Sequence, residues 1–177
     1  MYNVMNEIDE VLFTREEIRV RVKELGEQIT ADYEGKDLIA IGILKGAGVF
    51  MCDLIREISL PIRIDFMTVS SYGDATVSSG VVRISSDLHL DIRNNSVLII
   101  EDIIDTGTTL SYLREYLLNR GAKDVKICAL LDKPSRRKTE VPIDYRGFTV
   151  DDRFIIGYGI DYAEKYRNLP FIGTLKQ

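Results

Sequence analysis

The tightest constraint on how this chain folds is a run of four β-branched and aliphatic residues, Val97-Leu98-Ile99-Ile100, that gives way at once to carboxylates and small polar residues. A strand that is apolar on every side chain is covered on both faces, the pattern of a parallel strand inside an α/β sheet. The chain continues Glu101-Asp102-Ile103-Ile104-Asp105-Thr106-Gly107-Thr108-Thr109-Leu110. Thr106-Gly107-Thr108-Thr109 fits a tight loop that opens a helix, whose unpaired N–H groups and partial positive charge suit an anion of phosphate size. Glu101, Asp102 and Asp105 stand just upstream, suited to sugar hydroxyls, hydrated Mg²⁺ or a proton transfer. Carboxylates this close repel one another in a confined site unless a cation or hydrogen-bond donors compensate. The segment therefore reads as a site for a phosphorylated sugar.

The rest of the chain sets strands and helices around it. Thr14-Arg15-Glu16-Glu17 is a capping box, and Ile18, Val22, Leu25, Ile29 and Tyr33 follow at helical spacing. Residues 38–44 read as a buried strand, Lys45-Gly46-Ala47-Gly48 as a loop and 49–58 as a helix. A strand at 61–70 alternates, with Ile62, Ile64 and Phe66 toward the core and Arg63, Asp65 and Met67 opposite. Residues 71–80 are small, polar and glycine-bounded, the make-up of a mobile surface loop, with a returning strand over 80–86. A helix over 109–119 stops at Gly121, and 125–131 supplies another buried strand. This rhythm predicts an α/β fold: a mostly parallel central sheet flanked by helices, with binding at the strands' carboxyl ends. At 177 residues the chain is expected to form a single domain, 1–177. Its tail, about 132–177, is broken by Pro134 and Pro142 and is expected to form a small hood over the sheet edge, with Arg136-Arg137-Lys138 as a solvated loop.

Composition excludes several classes. A net charge of −5 argues against the basic surface that nucleic-acid binding needs. Cys52 and Cys128 fall in an apolar helix pattern and an apolar strand pattern and are expected as buried free thiols; with the single His89 they make no zinc spacing. Residues 1–10 lack the basic start and apolar stretch of a signal peptide, and no run approaches the roughly 18 apolar residues of a membrane span, so a cytoplasmic protein is expected. Gly46-Ala47-Gly48 fails the dinucleotide fingerprint because Met51 stands at its third glycine position, and no ATP-type phosphate loop string occurs.

Taken whole, residues 97–110 resemble the 5-phosphoribosyl-1-pyrophosphate (PRPP) signature of the type I phosphoribosyltransferases, with Glu101 to Gly107 most similar to the hypoxanthine-guanine branch. The resemblance spans about 38–173. It implies that Thr106, Gly107, Thr108 and Thr109 anchor the 5′-phosphate of PRPP, that Glu101 and Asp102 orient ribose hydroxyls and hydrated Mg²⁺, and that Asp105 is the catalytic acid/base beside the purine N7. Leu44-Lys45-Gly46 resembles the segment whose lysine and backbone receive pyrophosphate, where the Lys45–Gly46 peptide is often cis, and Arg167 matches a pyrophosphate-contacting arginine. Phe154-Ile155-Ile156-Gly157-Tyr158-Gly159-Ile160-Asp161-Tyr162 is similar to a purine-binding segment. There Phe154 stacks on the base, the Ile155 main chain meets its Watson–Crick edge, and Asp161 helps hold Mg²⁺. Ser71-Tyr72-Gly73 resembles a lid over PRPP that excludes water. Lys133 is implied as the donor to the purine O6; an ammonium suits a carbonyl oxygen, whereas adenine's amino group would leave donors unpaired.

The reaction so implied joins hypoxanthine or guanine to PRPP, giving IMP or GMP and pyrophosphate, in a homodimer or homotetramer. A xanthine-preferring transferase is the nearer alternative. A PRPP-sensing regulator that binds nucleic acid is the remoter one, disfavoured by the acidic charge. Without the resemblance, Lys45, Lys133 and Arg167 read as ordinary surface cations.

Overall fold

The computed structural model describes residues 4–72 and 81–176. A 3-10 turn, Val4–Glu7, leads into β1 (Ile8–Phe13), α1 (Arg15–Asp32), β2 (Leu38–Leu44), α2 (Ala47–Glu57), β3 (Arg63–Tyr72) and β4 (Val81–Ser86). Then come β5 (Ser96–Ile104), α3 (Thr108–Asn119), β6 (Asp124–Asp132), a 3-10 turn Pro134–Arg136, β7 (Tyr145–Thr149), β8 (Ile155–Ile156) and β9 (Ile172–Leu175). The predicted capping box starts α1: Glu17 N–H donates to the Thr14 hydroxyl at 3.3 Å and the Glu17 carboxylate accepts from Thr14 N–H at 2.8 Å.

The main sheet has the strand order β4-β3-β2-β5-β6-β7, parallel throughout except for β4, which pairs antiparallel with β3. The expected mostly parallel α/β sheet is therefore what forms. Alternate side chains of its central strands feed two separate cores. Leu38, Ala40, Leu98 and Ile100 pack with α1 and α2, while Ile39, Ile41, Val97 and Ile99 pack with α3. Each such fully buried aliphatic side chain stabilises the fold by about 1.5–3 kcal/mol. Covering both faces leaves the strands' carboxyl edge, where β2, β5 and β6 end together, as the place for polar chemistry.

Four expectations are corrected here. Residues 145–149 join the main sheet as β7 beside β6 (Cys128 opposite Tyr145), so they are not part of the hood. The hood sheet, in the order β1-β9-β8, borrows its first strand from Ile8–Phe13, for which the sequence carried no strand expectation. On β3 the deeply buried side chains are Asp65 and Met67, whereas Ile64 is 45% exposed. Asp65 earns its burial by accepting N–H groups from Phe66, His89 and Leu90, which pins the β4–β5 connection to the sheet. Cys128 is buried as expected, but Cys52 is exposed, because the inward stripe of α2 is Ala47, Phe50, Met51 and Leu54.

Ser71 and Tyr72 lie by their backbones in β3, opposite Val82 and Val81. The lid expected of their side chains and of residues 73–80 lies outside the described residues. Among the described residues no helix is long and apolar enough to cross a membrane.

Candidate active site

β5 carries the acidic residues onto the sheet edge and hands the chain to α3 through a left-handed Gly107, φ +81°. Glycine is required there twice over: L side chains rarely take that φ, and a Cβ would sit 2.3 Å from the Thr139 carbonyl oxygen. Thr139 belongs to the segment that braces this loop. The N–H groups of Lys138 and Thr139 donate to the Thr106 carbonyl at 2.9 and 3.0 Å, and the hydroxyls of Thr108 and Thr139 lie 3.3 Å apart. Gly107 gives α3 no side-chain cap, and the Thr108 N–H makes only a long bond, 3.4 Å, to the Thr106 hydroxyl, so this helix start suits an anion.

Glu101 and Asp102 form the floor. Burial, and then the neighbouring Asp102 charge, hold the Glu101 carboxyl well above the usual carboxylate range. Burial also raises Asp102, against a hydrogen bond from Glu101 and the Ile103 N–H, which donates to it at 2.8 Å. The folded chain thus favours a proton on Glu101, a contribution to stability that is full at low pH and lost as pH rises through the raised value. Glu101→Gln is expected to stabilise the metal-free protein by about 1–3 kcal/mol at neutral pH, the scale of an uncompensated buried polar group. Thermal melts from acid to alkaline pH check this, and indistinguishable melting curves for the two proteins would count against it. Two adjacent buried carboxyls, with Arg167 as the cation acting on Asp102, offer hard oxygen donors that fit a divalent cation such as Mg²⁺. Among the described residues no group of three His, Cys, Asp or Glu could hold a metal unaided. The pair therefore fits a cation that takes its other ligands from water and substrate oxygens.

Opposite this floor, two glycines bring the Lys-Gly loop close. A Cβ at Gly46 would meet Asp102 Oδ2 at 1.7 Å, and one at Gly159, φ +101°, would meet the Gly46 carbonyl oxygen at 2.2 Å. The cis peptide of this loop is Leu44–Lys45, one bond earlier than the Lys45–Gly46 bond named from the resemblance. Arg167 donates to the Gly159 carbonyl at 2.8 Å and pairs with Asp161 at 2.7 Å, while its Nε is buried without a hydrogen-bond partner. Glu164 pairs with Lys45 at 2.9 Å and lies 3.6 Å from Arg167. Both cations assigned to pyrophosphate thus already face carboxylates that an incoming anion must displace or outcompete. One cleft of about 320 Å³ gathers Gly46, Glu101, Asp102, Asp105, Thr106, Gly107, Thr109, Asp161 and Arg167.

Of the residues assigned to the base, Asp105 and Asp161 line this cleft, whereas Lys133, Phe154 and Ile155 lie outside its lining. Lys133 is buried; its N–H donates to the Ile104 carbonyl at 3.0 Å and its ammonium to the Arg153 carbonyl at 2.6 Å. Phe154 is 60% exposed and meets the Tyr162 ring edge-on at 5.2 Å, leaving a face on which a planar ligand can stack. Ile155 is buried in β8 opposite Thr174, so only its main chain can serve a ligand. Asp105 stands half-exposed at the end of β5, with Arg136 Nε 2.9 Å from its Oδ1. That N–H is not aligned for a hydrogen bond, and the oxygen keeps no hydrogen-bond partner.

The expectation of a solvated Arg136-Arg137-Lys138 loop holds for the exposed Arg136 and Lys138 and is corrected at Arg137. Arg137, its side chain only 11% exposed, pairs with the buried Asp132 and donates to the Asp105 carbonyl at 3.3 Å. Gly159 also went unassigned, although two glycines flanking Tyr158 in the purine-like string signalled a close backbone approach.

The sequence profile of the Phosphoribosyl transferase domain family matches residues 11–163. The chain is 54% identical over 171 residues to the hypoxanthine-guanine phosphoribosyltransferase of Bacillus subtilis (strain 168), covering 97% of this chain and 95% of the relative. It is 53% identical to that of Staphylococcus aureus (strain Mu50 / ATCC 700699), covering 97% and 96%. The crystal structure of a hypoxanthine phosphoribosyltransferase from Staphylococcus aureus, in a tetragonal space group, superposes with a TM-score of 0.95 at 52% identity, over 99% of this chain and 96% of that one.

Proposed function

Because this chain belongs to the phosphoribosyl transferase domain family, with hypoxanthine-guanine phosphoribosyltransferases among its relatives, we propose that it transfers the 5-phosphoribosyl group of PRPP to hypoxanthine or guanine in purine salvage. The products are IMP or GMP and pyrophosphate. The observation that carries this reading is one cleft in which an uncapped helix start, a buried carboxylate pair and Arg167 face one another, with Asp105 on the same wall.

Residues 106–109 hold the 5′-phosphate on main-chain N–H groups and hydroxyls. Glu101 and Asp102 orient the ribose hydroxyls. Breaking the C1–pyrophosphate bond builds positive charge on the ribose and negative charge on the leaving group, and Lys45 and Arg167 stabilise the latter. Glu101, Asp102 and Asp161 are the residues that would hold Mg²⁺, which when bound adds charge neutralisation on the pyrophosphate side. Phe154 stacks on the base, the Ile155 main chain meets its edge, and Asp105 takes the imidazole-side proton as N9 attacks C1. Holding the reactants in line accounts for much of the rate, since little covalent chemistry falls to the protein. A homodimer or homotetramer is part of the same reading, checked by light scattering.

Lys133 supplies base selectivity, its ammonium moving from the Arg153 carbonyl toward O6. Nucleotide formation is measured with PRPP, Mg²⁺ and hypoxanthine, guanine, xanthine or adenine, in the native protein and in Lys133→Ala. The native protein is expected to use hypoxanthine and guanine and to reject adenine. The variant should lose about 10-fold or more in kcat/KM for oxopurines, the worth of one charge-assisted hydrogen bond, and discriminate less against adenine. Equal KM values for all bases in both proteins would remove the O6 contact.

A further inference from the structure

We propose that Arg136 is the positioning residue for the Asp105 carboxylate and, through Asp152, ties Asp105 to Lys133 in one ion-pair chain; this rests on the function proposed above. The chain alternates in sign. Arg136 Nε lies 2.9 Å from Asp105 Oδ1, Arg136 Nη1 lies 3.4 Å from Asp152 Oδ1, and that same oxygen lies 3.9 Å from Lys133 Nζ. The group that meets the imidazole side of the base is thereby held to the guanidinium directly, and the group that meets O6 is linked to it through Asp152.

The backbone makes this placement firm. Arg136 ends the 3-10 turn Pro134–Arg136, its N–H donating to the Lys133 carbonyl at 3.2 Å. Two residues later the chain is stitched to the phosphate loop, Lys138 and Thr139 both donating to the Thr106 carbonyl. Arg136 therefore starts from a backbone fixed relative to both Lys133 and Thr106, the residues on either side of the reacting base.

The misaligned N–H matters to the chemistry. Arg136 attracts the Asp105 carboxylate from the side of its buried Oδ1 and holds its rotamer without donating a hydrogen bond to it, so the exposed remainder of the carboxylate is left to accept a proton from the ligand. The side chains of Arg136 and Asp105 are 48% and 44% exposed, so the pair adds little to global stability. Its effect falls on catalysis, where a misplacement of about 1 Å can lower the rate by about 10²-fold.

The experiment compares the full-length protein, Arg136→Ala, Arg136→Lys, Asp105→Ala and the Arg136→Ala/Asp105→Ala double variant. Steady-state IMP formation is followed alongside thermal melting. Arg136→Ala is expected to lower kcat about 10- to 100-fold with the KM for PRPP changed less than about two-fold, and with an almost unchanged melting temperature. Arg136→Lys, which keeps a cation on the same turn, should recover part of the loss. In the Asp105→Ala background, removing Arg136 should lower kcat by less than about two-fold more, since the group it positions is gone. An equal loss from Arg136→Ala with and without Asp105, or no loss while Asp105→Ala is impaired, overturns the role of Arg136 alone. Native turnover in Asp105→Ala overturns both this role and the assignment of Asp105.

Discussion

Asp105→Ala is expected to lower kcat for IMP formation about 10²- to 10⁴-fold, the usual span for a lost acid/base group. Asp105 follows directly on Ile104, the last residue of the buried strand, so its backbone is set by the sheet while its side chain reaches the cleft. Its Oδ1 is buried against Arg136 while 44% of the side chain stays exposed, leaving the open side of the carboxylate to take a proton from the base. The attack of N9 on C1 places positive charge on the purine, and without a nearby acceptor that charge persists into the transition state. The KM for PRPP should change little, because the phosphate loop and the pyrophosphate cations are separate groups. Stopped-time assays of IMP at saturating PRPP decide the matter, and a kcat within two-fold of the native value would remove Asp105 from the mechanism.

Gly46→Ala is the other large effect. The φ of −58° at Gly46 is open to any residue, so the backbone raises no objection. The obstacle is the partner: the new Cβ would fall 1.7 Å from Asp102 Oδ2 and 2.5 Å from its Cγ. Retreat is blocked from behind, since Gly159 approaches the Gly46 carbonyl so closely that a Cβ there would lie 2.2 Å away. The Asp102 carboxylate must therefore swing aside and give up the Ile103 N–H at 2.8 Å. Since Asp102 is assigned to the ribose and Mg²⁺, kcat/KM for PRPP should fall about 10²-fold or more, the scale of a misplaced catalytic group. Far-ultraviolet circular dichroism should stay native. Unaltered kcat/KM would mean that Asp102 tolerates the displacement and does not orient the substrate.

The parts of this molecule written in its sequence are those where local pattern and tertiary environment agree. The runs 38–44 of β2, 97–100 of β5 and 127–131 of β6 carry no polar side chain because helices cover both faces, and Thr14 and Glu17 mark a helix start whose bonds are purely local. The helix opening at Gly107 is likewise local, which is why residues 106–109 could be read as an anion site. What escaped depends on distant partners. β1 carries register shifts at Ile8/Glu10 and Val11/Phe13, so its alternation is broken, and it pairs with β9 at the other end of the chain. β7 sits at the sheet edge, and Asp144 reaching the Ile127 N–H at 2.9 Å helps fix its entry. Arg136 and Arg137 looked like solvent-facing cations until the fold set Asp105 and Asp132 beside them. Asp65 broke the alternation of β3 because three N–H groups, one from β3 itself and two from the β4–β5 connection, compensate its burial. The approach of Gly159 to Gly46 joins residues more than a hundred positions apart, and no spacing rule reports it.

The elbow between β5 and α3 is expected to grip the sugar phosphate while the 133–155 stretch presents the purine. Crystals of the protein grown with IMP test it most directly. The account requires the 5′-phosphate on the N–H groups and hydroxyls of residues 106–109, the purine stacked on Phe154, N7 toward Asp105 and O6 within hydrogen-bond reach of Lys133 Nζ. A nucleotide whose phosphate lies away from residues 106–109, or whose base points away from Lys133 and Asp105, would contradict it.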